Sequence, residues 1–346
     1  MKFRNLFTFL LLLNVWNIYA AIPQNYYISA SGLKDQGLKT ALFNIIKQHT
    51  QLEYYASATY FRTTDWHPNG YFWDMYSNIQ RTTWTGLNRE HNFPKSWWSA
   101  TPETTVAYSD LHNLYPSDPT ANEAKSNYPL GEVTGVPVFQ NGVVKVGTNR
   151  VAGYNGTVFE PADEYKGDFA RSYMYVVTCY EDYSQNWRSL GTASMLQKNT
   201  YPVFNEYAVN LLLKWHRNDP VSEKETKRND AVYSFQNNRN PFIDFPALAE
   251  YIWGYYKGQA WDVNGEIPVP DPEFYVVYLP DENKLYMNIA ENKPAEFFIY
   301  SVDGMLIQNG TTHSKKININ TDKNGLFIIV LYNSGTRKVA KFVKNN

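Results

Sequence analysis

Apolar positions recur along this chain with two different periods, and the change of period divides it. Leu38, Leu42, Ile45 and Ile46 fall three or four residues apart and predict an amphipathic helix ending near His49, itself placed on the polar face. Helical spacing returns in the segment that opens at Phe159, where Ala170, Tyr173, Met174 and Val177 form a stripe, and again from Tyr207 to Trp215, ahead of Pro220. Ser222-Glu223-Lys224-Glu225 has the capping-box pattern of a further helix start, and a last helix ends at Trp253-Gly254. From Phe274 onward short β segments take over: Phe274–Tyr278, Lys284–Ile289, Phe297–Ser301, Lys316–Ile319 and Leu326–Val330, with Asp303-Gly304 and Ser334-Gly335 as hairpin-turn signals. Gly265, Pro268, Pro270 and Pro272 mark the stretch 259–273 as a linker. The pattern predicts a helix-rich α+β domain over 21–258 and a small all-β sandwich over 274–346. Ahead of both, Lys2 and Arg4 precede the apolar run Leu6–Leu13 and then Ile18-Tyr19-Ala20, the order of a signal peptide whose cleavage would leave Ala21 first.

Between the first helix and Phe159 the periods are shorter and the punctuation denser. Tyr54 to Trp84 is rich in aromatics, Thr and Gly, which suits irregular structure and short strands, with His67 in a turn at Pro68. The stretch Leu87-Asn88-Arg89-Glu90-His91-Asn92-Phe93-Pro94-Lys95-Ser96 reads as a strand that ends near its proline. Asp110 to Tyr115 alternates as a second short strand would. Asp118-Pro119 then reads as an N-cap followed by the first helical residue, where the missing proline N–H costs nothing. That helix must stop by Asn127, just before Tyr128-Pro129, so Asn122, Lys125 and Ser126 share one face of about two turns.

Composition narrows the chemistry. Lys+Arg 32 against Asp+Glu 33 gives a formal net charge of -1, so a polyanionic partner would need a local basic groove. Aromatic residues make up 16% of the chain, with 28 Tyr and 10 Trp, and serve stacking as readily as packing. The single cysteine, Cys179, excludes an intramolecular disulfide; in the run Tyr173–Thr178, with no adjacent cation, it reads as a buried inert thiol.

The candidate chemistry sits in the first short strand. Glu90 beside His91, flanked by Arg89 and Lys95, brings together a carboxylate able to hold a divalent cation, an imidazole able to take a proton from water, and two cations able to meet phosphate. On an ideal strand adjacent side chains point to opposite faces, so the pair must work from the strand's end. Together with Ser109–Asn127, this stretch resembles the endonuclease I family of secreted nucleases; the segments at Phe159 and Asp219–Asp244 do too, so the resemblance spans most of Tyr26 to Gly254. It implies a ββα-metal, or His-Me finger, core over Leu87–Asn127. It makes His91 the general base, Glu90 and Asn122 the ligands of one divalent cation (Mg²⁺, with Ca²⁺ or Mn²⁺ as alternatives), and the products 5′-phosphates. Asn113 and Asn127 compete with Asn122, which is preferred for its helical position and its match to the family. Arg89, Lys95 and Lys125 are candidate phosphate contacts, and His112 reads as a hydrogen-bonding strut of the hairpin. Some longer family members carry a phosphate-contacting arginine between the two motifs, whereas Trp97–Tyr108 here has neither Lys nor Arg, so either Arg171 or Arg239 substitutes or charge stabilisation on the product side is weaker. The C-terminal stretches Phe298–Gly304, Asn324–Ile329 and Lys338–Phe342 resemble the sorting domain of type IX secretion substrates, which implies that machinery as a partner. The expected function is a secreted, metal-dependent, largely sequence-nonspecific endonuclease on DNA, with RNA as an alternative substrate. Two rival readings are a metal phosphodiesterase of small nucleotides and a non-enzymatic, aromatic-rich glycan-binding protein.

Overall fold

The computed structural model describes residues 22–187, 195–265, 276–287, 289, 294–302, 304–333 and 336–344. The leader expected over 1–20, most of the linker and the turn residues Asp303, Ser334 and Gly335 lie outside them. The chain divides into two compact units, Met1–Glu266 and Ile267–Asn346, and mixes helix with sheet as an α+β protein does. Trp261 is buried in the core of the first unit and exchanges backbone hydrogen bonds with Gly32 and Leu33. That unit therefore continues beyond residue 258, and a linker beginning at 259 starts too early.

The first unit opens with α1 (Asp35–Ile46) and α2 (Ser57–Thr64), followed by two antiparallel ribbons, β1 (Trp66–His67) with β2 (Tyr71–Phe72) and β3 (Asn88–His91) with β4 (Leu114–Ser117). The helix α3 (Pro119–Lys125) follows β4 at once. An antiparallel sheet of β5 (Phe139–Gln140), β6 (Lys145–Thr148) and β7 (Thr157–Glu160) leads into α4 (Lys166–Cys179). Then come α5 (Glu206–Asn218), α6 (Glu223–Gln236), α7 (Pro241–Asp244) and α8 (Leu248–Trp253). Phe159, expected to open a helix, belongs instead to β7, where it pairs with Val146; a four-residue strand carries no period long enough to separate the two.

All 14 residues of α4 are buried, and the helix packs against α1, α5 and α7. A helix covered on every side must find partners for its polar residues, since an unpaired buried charge is costly. Lys166 meets Glu160 at 2.9 Å, Asp168 meets Lys224, and Arg171 meets Glu225 through two bonds of 2.5 and 2.8 Å. Cys179 is buried on this helix, and burial raises its thiol well above the ordinary range, as an inert role requires. His49, expected on a polar face, is instead packed inside, 4.0 Å from Asp110 and bonded to the Tyr180 hydroxyl.

The β3–β4 ribbon is held from behind by a separate apolar cluster of Phe61, Phe72, Leu87, Leu111, Leu114 and Val232. In register, Arg89 faces Pro116, Glu90 faces Tyr115 and His91 faces Leu114. Pro116 is tolerated because β4 has a single partner, leaving its other edge free of ladder bonds. The second strand therefore begins later than the alternation from Asp110 suggested; Asp110 instead starts a turn in which it accepts from the His112 N–H. The helix start is as expected: Asp118 caps α3 by accepting from the Ala121 N–H at 3.0 Å, and Pro119 is the first helical residue. The capping box at Ser222 and Glu225 is complete in both directions.

The second unit holds two antiparallel sheets. One has the order β11 (Leu306–Thr312), β10 (Ala295–Ser301), β13 (Gly325–Asn333), β14 (Thr336–Lys344). The other has β12 (Lys316–Asn318), β9 (Lys284–Met287), β8 (Val276–Leu279). Alternate residues of both, including Leu285, Met287, Phe297, Ile299, Ile317 and Ile329, share one apolar core, which fixes the register of each strand.

Candidate active site

An open pocket of about 320 Å³ lies where β3 ends against α3, lined by Tyr54, Arg89, Glu90, His91, Pro94, Lys95, Ser96, Asn122, Ser126 and Asn127. At about 30 Å³ per water it has room for roughly ten, enough for a hydrated cation and a phosphate group. Of the residues singled out in the sequence, Glu90, His91, Asn122, Asn127, Arg89 and Lys95 line it.

His91 is only 5% exposed, yet its chemistry is well defined. Its Nε2 lies 2.8 Å from the Tyr108 carbonyl, and because a carbonyl only accepts, Nε2 carries the hydrogen. Burial pushes the imidazolium down to about 3, so the ring is neutral and Nδ1 keeps its lone pair. Among the described residues Nδ1 has no hydrogen-bond partner, and His91 lines the open pocket. The ring lies parallel to Tyr54, 6.0 Å between centroids, and edge-on to Trp98, which fixes its plane.

Glu90 is 7% exposed and accepts from the Lys125 ammonium, 2.6 Å from Oε1. Burial raises its carboxyl above the ordinary range, and Lys125 opposes that rise. The second carboxylate oxygen has no side-chain partner among the described residues. The buried hydroxyls of Tyr76 and Tyr173, which feel the Glu90 charge, have no partner either. Buried polar groups left open in this way call for water or an ion. Asn122, half-buried, contributes a side-chain amide with no hydrogen-bond partner among the described residues. Asn113 is not available, since its amide exchanges two hydrogen bonds with the Phe93 backbone (2.7 and 3.1 Å), while Asn127 lies in the pocket 3.4 Å from the Ser96 hydroxyl. Among the described residues no three His, Cys, Asp or Glu converge as a metal cluster. One carboxylate oxygen and one amide oxygen are hard, sparse donors, the set that a Mg²⁺ ion retaining most of its waters accepts.

The expected cations separate into different roles. Lys95 is half-buried, 5.2 Å from the centre of the Tyr108 ring, with no carboxylate partner among the described residues, and so remains open to an anion. Arg89 donates to the carbonyls of Tyr54 (3.2 Å) and Tyr55 (2.8 Å) and to the Ser57 hydroxyl (2.5 Å), and so secures the pocket wall that carries Tyr54. Lys125 is 0% exposed, beyond the reach of a polymer substrate. Arg171 is likewise wholly buried and bonded to Glu225, and Arg239 is held by Asp230 and Asp244. Neither arginine can replace the one missing between the two motifs, because each neutralises a buried carboxylate of the core. His112 is a strut as expected, its Nε2 donating to the Asn238 carbonyl at 3.2 Å. Sequence reading missed Tyr54 and Tyr108; the aromatic Tyr54-Tyr55 pair was visible, but the Tyr108 contact is a backbone carbonyl and leaves no side-chain signature.

The family model described as Endonuclease I matches residues 35–247. The extracellular ribonuclease of Bacillus amyloliquefaciens is 34% identical over 247 residues, covering 68% of this chain and 80% of the relative. That of Bacillus subtilis (strain 168) is 33% identical over 250 residues, covering 67% and 80%. Endonuclease-1 of Buchnera aphidicola subsp. Acyrthosiphon pisum (strain APS) is 24% identical over 136 residues, covering 39% of this chain and 44% of the relative. The match extends over more than half of the chain and contains the whole pocket: this protein belongs to the endonuclease I family and is a nuclease.

Proposed function

We propose that the protein is a secreted, divalent-cation-dependent endonuclease of low sequence specificity that hydrolyses RNA and DNA to products with 5′-phosphates. The observation that carries this reading is the neutral His91, tied through Nε2–H to the Tyr108 carbonyl, in the same pocket as Glu90 and Asn122. Nδ1 takes the proton from water as the water oxygen bonds to phosphorus and the bond from phosphorus to the 3′ oxygen breaks, that oxygen gaining a proton from solvent, and the Tyr108 carbonyl stabilises the imidazolium that forms. Glu90 and Asn122 would hold the cation, which would supply Lewis-acid stabilisation of the charge building on phosphate oxygens. Lys95 meets a phosphate oxygen. The order of β3, β4 and α3 supports a ββα-metal core, and the pocket's side chains suit the phosphodiester backbone better than base edges, hence low sequence specificity. Two relatives named extracellular ribonuclease support export and RNA as a substrate, alongside the leader-like residues 1–20. We read the C-terminal unit, with its two sheets on one core, as a β-sandwich that serves as a type IX sorting domain.

The test is to incubate purified protein with a labelled RNA oligonucleotide and with supercoiled plasmid, with Mg²⁺ or with chelator, and to analyse product ends. Cleavage of both only with metal, leaving 5′-phosphates, is the expected result. Chelator-resistant cleavage would remove the cation from the mechanism, and RNA products ending in cyclic phosphate would remove water activation by His91.

A further inference from the structure

We propose that Lys125 is the positioning residue of this site: it draws Glu90 round to the face that His91 serves, and so presents the second carboxylate oxygen to the cation. The proposal rests on the reading of Glu90 as a cation ligand. Glu90 and His91 are successive residues of β3, whose side chains by strand geometry point apart, yet both line one pocket. One ammonium accounts for this, since Lys125 Nζ lies 2.6 Å from Glu90 Oε1 and 3.4 Å from the His91 carbonyl. It therefore joins the side chain of one residue to the backbone of the next.

Lys125 comes from the last turn of α3, three residues after Asn122 and so on the same helical face. One helix thus supplies an amide to the pocket and the clamp beneath it. The other end of α3 is fixed as well: its cap Asp118 receives Arg81 at 2.5 Å, and Arg81 also meets Asp74. The Lys125 ammonium sits 5.9 Å from the centre of the Phe159 ring, within the core. This packing keeps it from phosphate and holds it to Glu90. Groups that orient a metal's ligands affect metal affinity nearly as strongly as the ligands themselves.

The experiment measures Mn²⁺ binding to the full chain without nucleic acid, by electron paramagnetic resonance of free Mn²⁺, for the parent, Glu90→Gln, Lys125→Met and Lys125→Arg. RNA cleavage kinetics and melting temperature are recorded for each. Lys125→Met should weaken Mn²⁺ binding by about 10- to 100-fold and lower kcat, with KM for RNA little changed. Lys125→Arg, which keeps the charge and tests the idea should the Met variant not fold, should recover part of the Mn²⁺ affinity. Mn²⁺ binding at the parent's level in a folded Lys125→Met or Lys125→Arg variant, with a raised KM, would overturn the proposal and return Lys125 to phosphate binding. If Glu90→Gln also binds Mn²⁺ as the parent does, the ligand reading itself fails and the proposal with it.

Discussion

His91 illustrates how much of a site a single residue can disclose. A histidine next to a glutamate and between two cations marks a candidate neutral base; the sequence did not show the burial that holds it neutral or the carbonyl 17 residues away that it bonds. Lysine and arginine were the least legible residues. From sequence alone Lys125 and Arg171 read as candidate phosphate contacts, yet both are 0% exposed and paired with carboxylates. Burial of neutral histidine also sets the acid stability. His112 and His216 are both held down to about 4, chiefly by burial. The unfolded chain, where histidine titrates near 6.5, binds their protons first, so their contribution to stability is complete above about pH 6.5 and is lost as pH falls toward 4. Each can remove at most about 1.4 kcal/mol per pH unit in that window. Urea denaturation between pH 7 and 4 should show the decline, and His216→Gln should flatten it; an unchanged slope would mean that His216 is not buried neutral.

Among the elements, those with explicit end signals were legible. Asp118-Pro119 and Ser222–Glu225 announce helix starts through hydrogen-bonding groups at fixed offsets, and both caps form. The β7 strand was not legible, because Thr157–Glu160 is too short to establish a period and earns its identity from pairing with β6. The buried helix α4 hides its role for a related reason: its polar residues look like a solvated face until their partners on β7 and α6 are known. Arg171→Met tests which role is right. Leaving Glu225 unpaired should cost about 3–5 kcal/mol of stability, read as a lower urea midpoint, while KM for RNA in the folded fraction stays within about twofold. A large rise in KM with unchanged stability would restore Arg171 as a substrate contact.

For the molecule as a whole, the hydrophobic period switches near Phe274, and the chain divides at 266/267 into two compact units. Its exact edge was not readable, since Trp261, in a Gly- and Pro-punctuated stretch, packs back into the first core. Each unit has its own apolar cluster, and the entire pocket belongs to the first. A chain truncated after Gly265 should therefore cleave RNA and plasmid at rates within about twofold of the full protein. A loss of more than tenfold would show that the second unit takes part in catalysis. With a net charge of -1 the protein has no global attraction for polyanions, so binding depends on local cations such as Lys95 and should weaken as salt rises.

The central claim is that His91 activates water, and single-turnover cleavage of RNA by His91→Ala beside the parent, with saturating Mg²⁺ and matched melting temperatures, tests it most directly. The account predicts a loss of at least about 10²- to 10⁴-fold, the usual contribution of a general base, with Mn²⁺ binding retained. A folded His91→Ala protein that cleaves as fast as the parent would contradict it.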